Sequence, residues 1–374
     1  MLNFDVLKKG FLPEQISQRL PDEFQDIEAI ARNLPKILVN NQIIEEVSNI
    51  EPEKHIENLT KPELERAMLL YSYLGHALIW GSNNSEKVIP KNLSRTWHKI
   101  SKELERPPIL SYASYALNNW KLRDESKPFE LENIQIFQNF LGGMDEDWFI
   151  MIHVAIEYEA ANILKNLKRY FIDKNIETKY LNEGLKSLDK INEIMNMMPD
   201  KCDPYVYYNR VRPYIFGWKN NPATPKGVIY EDISEYSDKP QLFRGETGAQ
   251  SSIVPALDAL LGVTHSDDPL KAYLDEMRIY MPKEHRDLLF SLDDWRNTAR
   301  SEILSEIDKS DNEIITELIH QLNIFRAKHL EYARIYIHEQ ALSNQSNSNT
   351  VGTGGTPFMK YLDKHLQETI PTND

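Results

Sequence analysis

The sequence predicts an all-α fold divided into two domains. Apolar residues recur at helical spacing through most of the chain, a helix start is written out at Thr60, and no run alternates apolar with polar residues in the manner of a half-buried strand. No internal repeat of fixed period occurs.

Taken in order, the elements justify themselves. Thr60 and Glu63 form a capping-box pattern with Pro62 inside the first turn and apolar residues following. The longest apolar stretch, Ala67 to Trp80, is interrupted by Ser72, Gly75 and His76 and is too short to cross a bilayer. Gly142-Gly143 separates two helical regions and marks the expected boundary between a small N-terminal domain, 1–141, and a large one, 142–374. A helix then covers about Asp147 to Tyr170. Its stripe is Phe149, Ile152, His153, Ile156, Ala160, Ile163, Leu164 and Leu167. His153 on that stripe is either tied to Glu157 one turn on, inside a helix interface, or projects into an apolar pocket where it can bond a substrate N–H or move a proton.

Farther along, Tyr208 and Arg212 share a helix face, and Pro213 is expected to kink or end that helix because it cannot donate to the Asn209 carbonyl. An arginine among aromatics is either a stacked surface residue or a clamp for a ligand carboxylate. Residues 220–244 read as a long irregular connection. Two glycine-rich stretches, Arg244 to Ala249 and Gly352 to Thr356, lack GK[ST] and follow no strand, which argues against a P-loop or dinucleotide fingerprint. Their glycines would let backbone approach a flat ligand closely. Asp258 lies on an apolar helix over Ala249 to Leu261 and needs a donor, either a Lys or Arg or the second ring nitrogen of a metal-bound histidine. His329 sits on the stripe Ile315, Leu318, Leu322, Phe325, His329, Tyr332, Tyr336. It is either a core histidine hydrogen-bonded to backbone or a metal ligand, haem iron included. Residues 343–357 are small, polar and glycine-rich: a disordered connection or a lid.

Composition narrows the function classes. The chain has 374 residues, enough for a large core and a cofactor; its 43 basic and 57 acidic side chains leave a formal net charge of −14, which repels nucleic acid and anionic membranes. Cys202, the single cysteine, cannot build an intramolecular disulfide, a cysteine zinc site or an iron–sulfur cluster. Residues 1–14 carry no apolar signal core, so a cytoplasmic protein is expected. A di-iron carboxylate site needs two Glu-x-x-His units, and only Glu317–His320 fits.

Several motifs in one order resemble the haem-dependent indoleamine 2,3-dioxygenases over most of the chain. They are Pro107 to Ala113, Leu117 to Trp120, Gly217 to Pro222, Gln250 to Ser252 with Asp258 to Gly262, Met277 to Pro282 with His285-Arg286, Lys328 to Leu330, and Gly352 to Thr356. The resemblance implies a two-domain helical enzyme with haem b between the domains, the small domain covering the distal pocket. It implies His329 as the iron ligand, Asp258 as its hydrogen-bonded partner, and Arg326 on a haem propionate. Gly245, Thr247 and Gly248 would pass over the haem edge. Arg212 would bind the substrate carboxylate. Phe149, Tyr112, Tyr115 and Tyr207 would wall the distal pocket, and Thr353 would close over the amino-acid end. His153 stands where animal members have serine and looks like the distal histidine of the tryptophan 2,3-dioxygenases. Tyr207 and Tyr208 replace phenylalanines, Tyr115 a smaller residue and Glu246 a glycine, giving a more polar, more crowded pocket.

The implied reaction uses ferrous haem, O2 and L-tryptophan or a related indoleamine to give N-formylkynurenine. The implied protein is a monomer or weak homo-oligomer with no nucleic-acid or membrane partner. The alternatives are a haem monooxygenase of an indole or modified tryptophan, and a non-catalytic haem-binding or sensor protein.

Overall fold

The computed structural model describes residues 8–51, 54–82, 87–343 and 351–369. Among the described residues helix accounts for 63% and strand for 3%, which is the all-α fold expected from the periodicity. The strands are short: β1 Lys8–Phe11, β2 Val88–Ile89, β3 Trp120–Leu122, β4 Ile134–Ile136 and β5 Ile229–Tyr230. β2 pairs in parallel with β5, Val88 opposite Ile229, and β3 pairs antiparallel with β4, Lys121 opposite Gln135.

The N-terminal helices are α1 Gln25–Arg32, α2 Leu34–Val39, α3 Ile43–Ser48, α4 Lys61–Trp80 and α5 Lys91–Glu103. The capping box starts α4: the Glu63 carboxylate accepts the Thr60 backbone N–H at 2.8 Å. From Glu65 to Ile79 every residue of α4 is buried, so this helix is apolar almost all round. The charges buried beside it are paired, Arg66 Nε donating to Glu28 at 2.6 Å and Arg106 donating to Glu65.

Gly142, at φ +66°, turns the chain into α6 Met144–Leu167, followed by α7 Thr178–Asn196, α8 Pro204–Val206 and α9 Arg212–Ile215. The helix before Pro213 does not end there. It widens into a π-turn over Tyr207–Val211 and runs on to Ile215, which accommodates the missing proline N–H. Next come α10 Ile253–Leu261, α11 Pro269–Met277, α12 Lys283–Thr298, α13 Arg300–Leu304, α14 Lys309–Ala333, α15 Glu339–Ser343 and α16 Phe358–Glu368.

Helices α6, α7 and α14 pack side by side as the centre of the C-terminal half, with α10 against α6, α12 and α14, and α16 on α14. A single buried cluster runs from Phe11 to Tyr336, across Gly142-Gly143. Hydrogen bonds cross the same boundary: His76 Nδ1 donates to the Tyr214 carbonyl at 2.7 Å, and Trp80 Nε1 to that of Phe216 at 2.8 Å. No described helix is long and apolar enough to cross a membrane.

Candidate functional site: a cavity between two histidines

His329 and His153 border one cavity, with α7 supplying Leu188, Ile191 and Met195 to its wall and α10 supplying Ile253, Val254 and Leu257. His329 comes from α14, held in place by the buried stripe Ile315, Leu318 and Leu322 below it and Tyr332 and Tyr336 above. Its ring makes no hydrogen bond among the described residues, so the backbone-bonded core histidine is not what forms. Burial, with His153 adding to it, pushes the His329 imidazole down to about 4. It is therefore neutral near pH 7, as a nitrogen ligand to a metal must be. Gly248 stands next to the ring: a Cβ there would lie 4.0 Å from His329 Nε2.

His153 faces the same space from α6. Its Nδ1 lies 2.7 Å from the Phe149 carbonyl. A carbonyl only accepts, so Nδ1 carries the proton and Nε2 is left as an acceptor with no partner among the described residues. Burial lowers its pKa, which keeps that acceptor available. His153 does not bond Glu157. Instead the Glu157 carboxyl accepts Tyr112 Oη at 2.9 Å and Ser251 Oγ at 2.8 Å, and burial pushes it up to about 7.

The aromatic wall is continuous. The Phe149 ring lies 4.4 Å from that of His153 and 4.8 Å from that of Tyr207, with Tyr115 at 6.3 Å; Tyr112 meets His153 edge-on at 5.9 Å. Tyr115 lies on a π-turn over Ala113–Leu117, and the Tyr112 amide is fixed by Gln250 Oε1 at 2.9 Å.

Arg212 is 2% exposed, not a surface residue. Its guanidinium lies 5.2 Å from the ring centres of both Tyr208 and Phe216 and donates to the Val351 carbonyl. The glycine-rich loop is docked from 351 onward. Thr353 Oγ1 donates to the Glu246 carbonyl at 2.5 Å, the Gly217 amide to the Thr353 carbonyl at 3.1 Å, and Arg244 to the Gly354 carbonyl at 2.6 Å. Residues 344–350 of the expected 343–357 lid lie outside the described residues.

The residues expected at the cofactor have these protein partners in the structure. Asp258 does not meet His329: its carboxylate takes Arg326 Nη2 at 2.6 Å and His265 Nε2 at 3.0 Å. Burial alone would raise Asp258, but Arg326 and His265 hold it below the usual range. Arg326, one helical turn before His329, donates to Asp258 and Thr369. A Cβ at Gly245 would fall 2.3 Å from the Gly217 nitrogen, so the approach of these two backbones by itself requires glycine there. Thr247 caps the short turn Gly248–Gln250 that brings Gly248 to His329.

A neutral imidazole with no partner among the described residues, opening onto an apolar cavity with Gly248 beside it, fits a ligand that would hold haem iron. Among the described residues no group of three or more His, Cys, Asp or Glu is arranged to hold a metal ion, which gives the di-iron reading no support. The indoleamine 2,3-dioxygenase family model matches residues 1–372. The chain belongs to the indoleamine 2,3-dioxygenase family. It is 33% identical to indoleamine 2,3-dioxygenase 1 of Rattus norvegicus, over 94% of this chain and 90% of that one. It is 28% identical to indoleamine 2,3-dioxygenase of Saccharomyces cerevisiae, over 98% and 91%. A protein named myoglobin from Haliotis madaka is 25% identical over 96% and 95%. Members of the family are haem-dependent dioxygenases acting on tryptophan or indoleamines, and this chain is an oxidoreductase of that class.

Sequence reasoning missed the α7 wall and the Tyr112–Glu157–Ser251 cluster. Leu188, Ile191 and Met195 carry a helical signal, but an apolar stripe does not name what it faces. Glu157 and Ser251 are 94 residues apart, beyond any spacing rule.

Proposed function

We propose that this family member opens the indole ring of L-tryptophan, or a closely related indoleamine, with both atoms of O2 entering N-formylkynurenine. The observation that carries the proposal is that the His329 ring and His153 Nε2, neither with a partner among the described residues, border one apolar cavity. His329 holds haem b, ferrous for activity, and that haem supplies the oxygen chemistry. The chain's own residues supply placement. His153 Nε2 accepts the indole N–H. Phe149, Tyr112, Tyr115 and Tyr207 wall the ring. Arg212 binds the substrate carboxylate, and the loop around Thr353 closes on the amino-acid end. Residues 1–141 act as the distal cover and residues 142–374 as the cofactor-binding unit. The protein works as a monomer or weak homo-oligomer in the cytoplasm.

Incubation of the ferrous protein with L-tryptophan and 18O2, followed by product mass, tests this. Two labelled atoms in N-formylkynurenine are expected. One labelled atom in an unopened indole would support the monooxygenase reading, which the polar Tyr115, Tyr207 and His153 favour. No turnover of any indole would favour a non-catalytic haem protein, the reading suggested by the relative named myoglobin.

A further inference from the structure

Among the described residues that line the cavity, Tyr112 alone comes from ahead of Gly142-Gly143, and it is fixed at both ends. Its backbone amide donates to Gln250 Oε1 and its Oη to Glu157 Oε1, each at 2.9 Å. Ser251, also in the lining, donates its hydroxyl to the same Glu157 oxygen at 2.8 Å and accepts the Ile253 amide at 3.4 Å, where α10 begins. Gln250 is held in turn, its Nε2 donating to the Gly245 carbonyl at 2.9 Å. One carboxyl oxygen therefore joins three stretches of chain at the edge of the cavity: the stretch ahead of the π-turn, α6, and the stretch that enters α10.

Glu157 itself stands behind the lining, fully buried. Its Oε2 has no partner among the described residues, and no cation offsets the effect of burial; only the two hydroxyls do. A buried acid is a costly way to bridge two hydroxyls. What it adds is strength, because a hydrogen bond to an ionised acceptor is about twice as strong as one to a neutral acceptor. Tyr112 passes its position on. Its ring meets that of His153 edge-on at 5.9 Å, and the His153 ring lies 4.4 Å from that of Phe149.

We propose that Glu157 is a positioning residue for ring recognition: through the hydroxyls of Tyr112 and Ser251 it holds the wall against which a bound indole packs. This rests on the proposed function for the identity of the ring and on the hydrogen bonds for the wall. Burial pushes Glu157 up to about 7, so its ionised share changes across the neutral range. The ionised form is the stronger acceptor, so the wall is held most firmly above pH 7 and less firmly below it. Around it, burial pushes the Tyr112 phenol up and the His153 imidazole down, which keeps both neutral at pH 7 and above. Glu246, pushed up to about 8, also reaches Tyr112. Helices α7 and α10 bring only apolar side chains to the cavity.

Indole is the apt probe, since it carries the ring and no group that titrates near neutrality. Absorbance titration of the holoprotein with indole from pH 6 to pH 8.5 measures its affinity without turnover. Wild-type affinity is expected to rise about three- to tenfold across that range. Glu157→Gln keeps an acceptor of the same shape that cannot ionise, so its affinity should be flat and equal to that of the wild type at pH 6. Tyr112→Phe should lose most of the profile, and combining it with Glu157→Gln should add little. In steady state at pH 8, Glu157→Gln should raise KM for L-tryptophan by a similar factor and leave kcat nearly unaltered. A flat wild type overturns the proposal. So does a profile that survives in Glu157→Gln, which would belong to another group, Glu246 first. Weakening in Glu157→Gln that is equal at pH 6 and pH 8.5 also overturns it, as the mark of a merely structural residue. Turnover of L-tryptophan with any of these three results removes Glu157 and leaves the proposed function standing. The expected profile without turnover does the reverse.

Discussion

Arg212 shows how a residue's surroundings decide what it can do. It is buried between Tyr208 and Phe216, and that burial pulls its pKa below the usual arginine value. A guanidinium so placed gains more from a ligand carboxylate than one in water, because little solvent competes. Replacing Arg212 by Leu should raise KM for L-tryptophan about ten- to a hundredfold, the loss of one charge-assisted contact. Tryptamine, which lacks the carboxylate, should change little; equal effects on both would place Arg212 outside the amino-acid subsite. The contact between Tyr208 and Arg212 was legible in the sequence because four residues separate them. The pairing of Arg326 with Asp258 was not, because 68 residues separate them. His153 was legible as a polar intruder on an apolar stripe. Which of its nitrogens faces the cavity was not, since only the 2.7 Å contact with the Phe149 carbonyl decides it.

Elements place these residues, and the placement depends on backbone detail. Helices α6 and α10 were legible from their stripes to within a few residues at their ends, and α14 from the stripe Ile315 to Tyr336. The π-turns over Ala113–Leu117 and Tyr207–Val211 were not, because side-chain period does not report one extra residue in a turn. The glycine-rich loop was legible only as small and polar, and docking it needed the partners at Gly217, Arg244 and Glu246. Gly355 is the sharpest test of that docking. It has φ +75°, and a Cβ there would fall 2.3 Å from the Lys219 carbonyl oxygen. Gly355→Ala should therefore undock the loop, raising KM for L-tryptophan severalfold and exposing the segment to limited proteolysis. A variant with native KM and native protease resistance would show that the loop does not close the site.

Across the whole molecule, the same burial that shapes the site sets how stability varies with pH. Burial pushes Glu146 and Glu246 up to about 8 and Glu157 to about 7, against an ordinary 4.5. A raised carboxyl favours the folded state at low pH, and that advantage is lost as pH climbs through the folded value. Burial pushes His76, His285 and His365 down to about 3, against an ordinary 6.5. A lowered histidine favours the folded state above 6.5, and that advantage is lost as pH falls through the folded value. The two sets oppose each other between, so Tm should peak at about pH 6 and fall toward both pH 8.5 and pH 4. Thermal denaturation across that range checks it, and Glu146→Gln should flatten the alkaline side. A Tm that climbs steadily to pH 8.5 would mean that these carboxyls are ionised in the fold.

The proposed function depends on the His329 imidazole gripping haem iron, and the visible absorbance of the purified His329→Gly protein tests it. The wild type is expected to show a full Soret band, the variant almost none, and added imidazole to restore it by filling the vacated space beside Gly248. A variant that retains haem at wild-type stoichiometry, with an unchanged Soret band and no response to imidazole, would contradict the assignment and the function built on it.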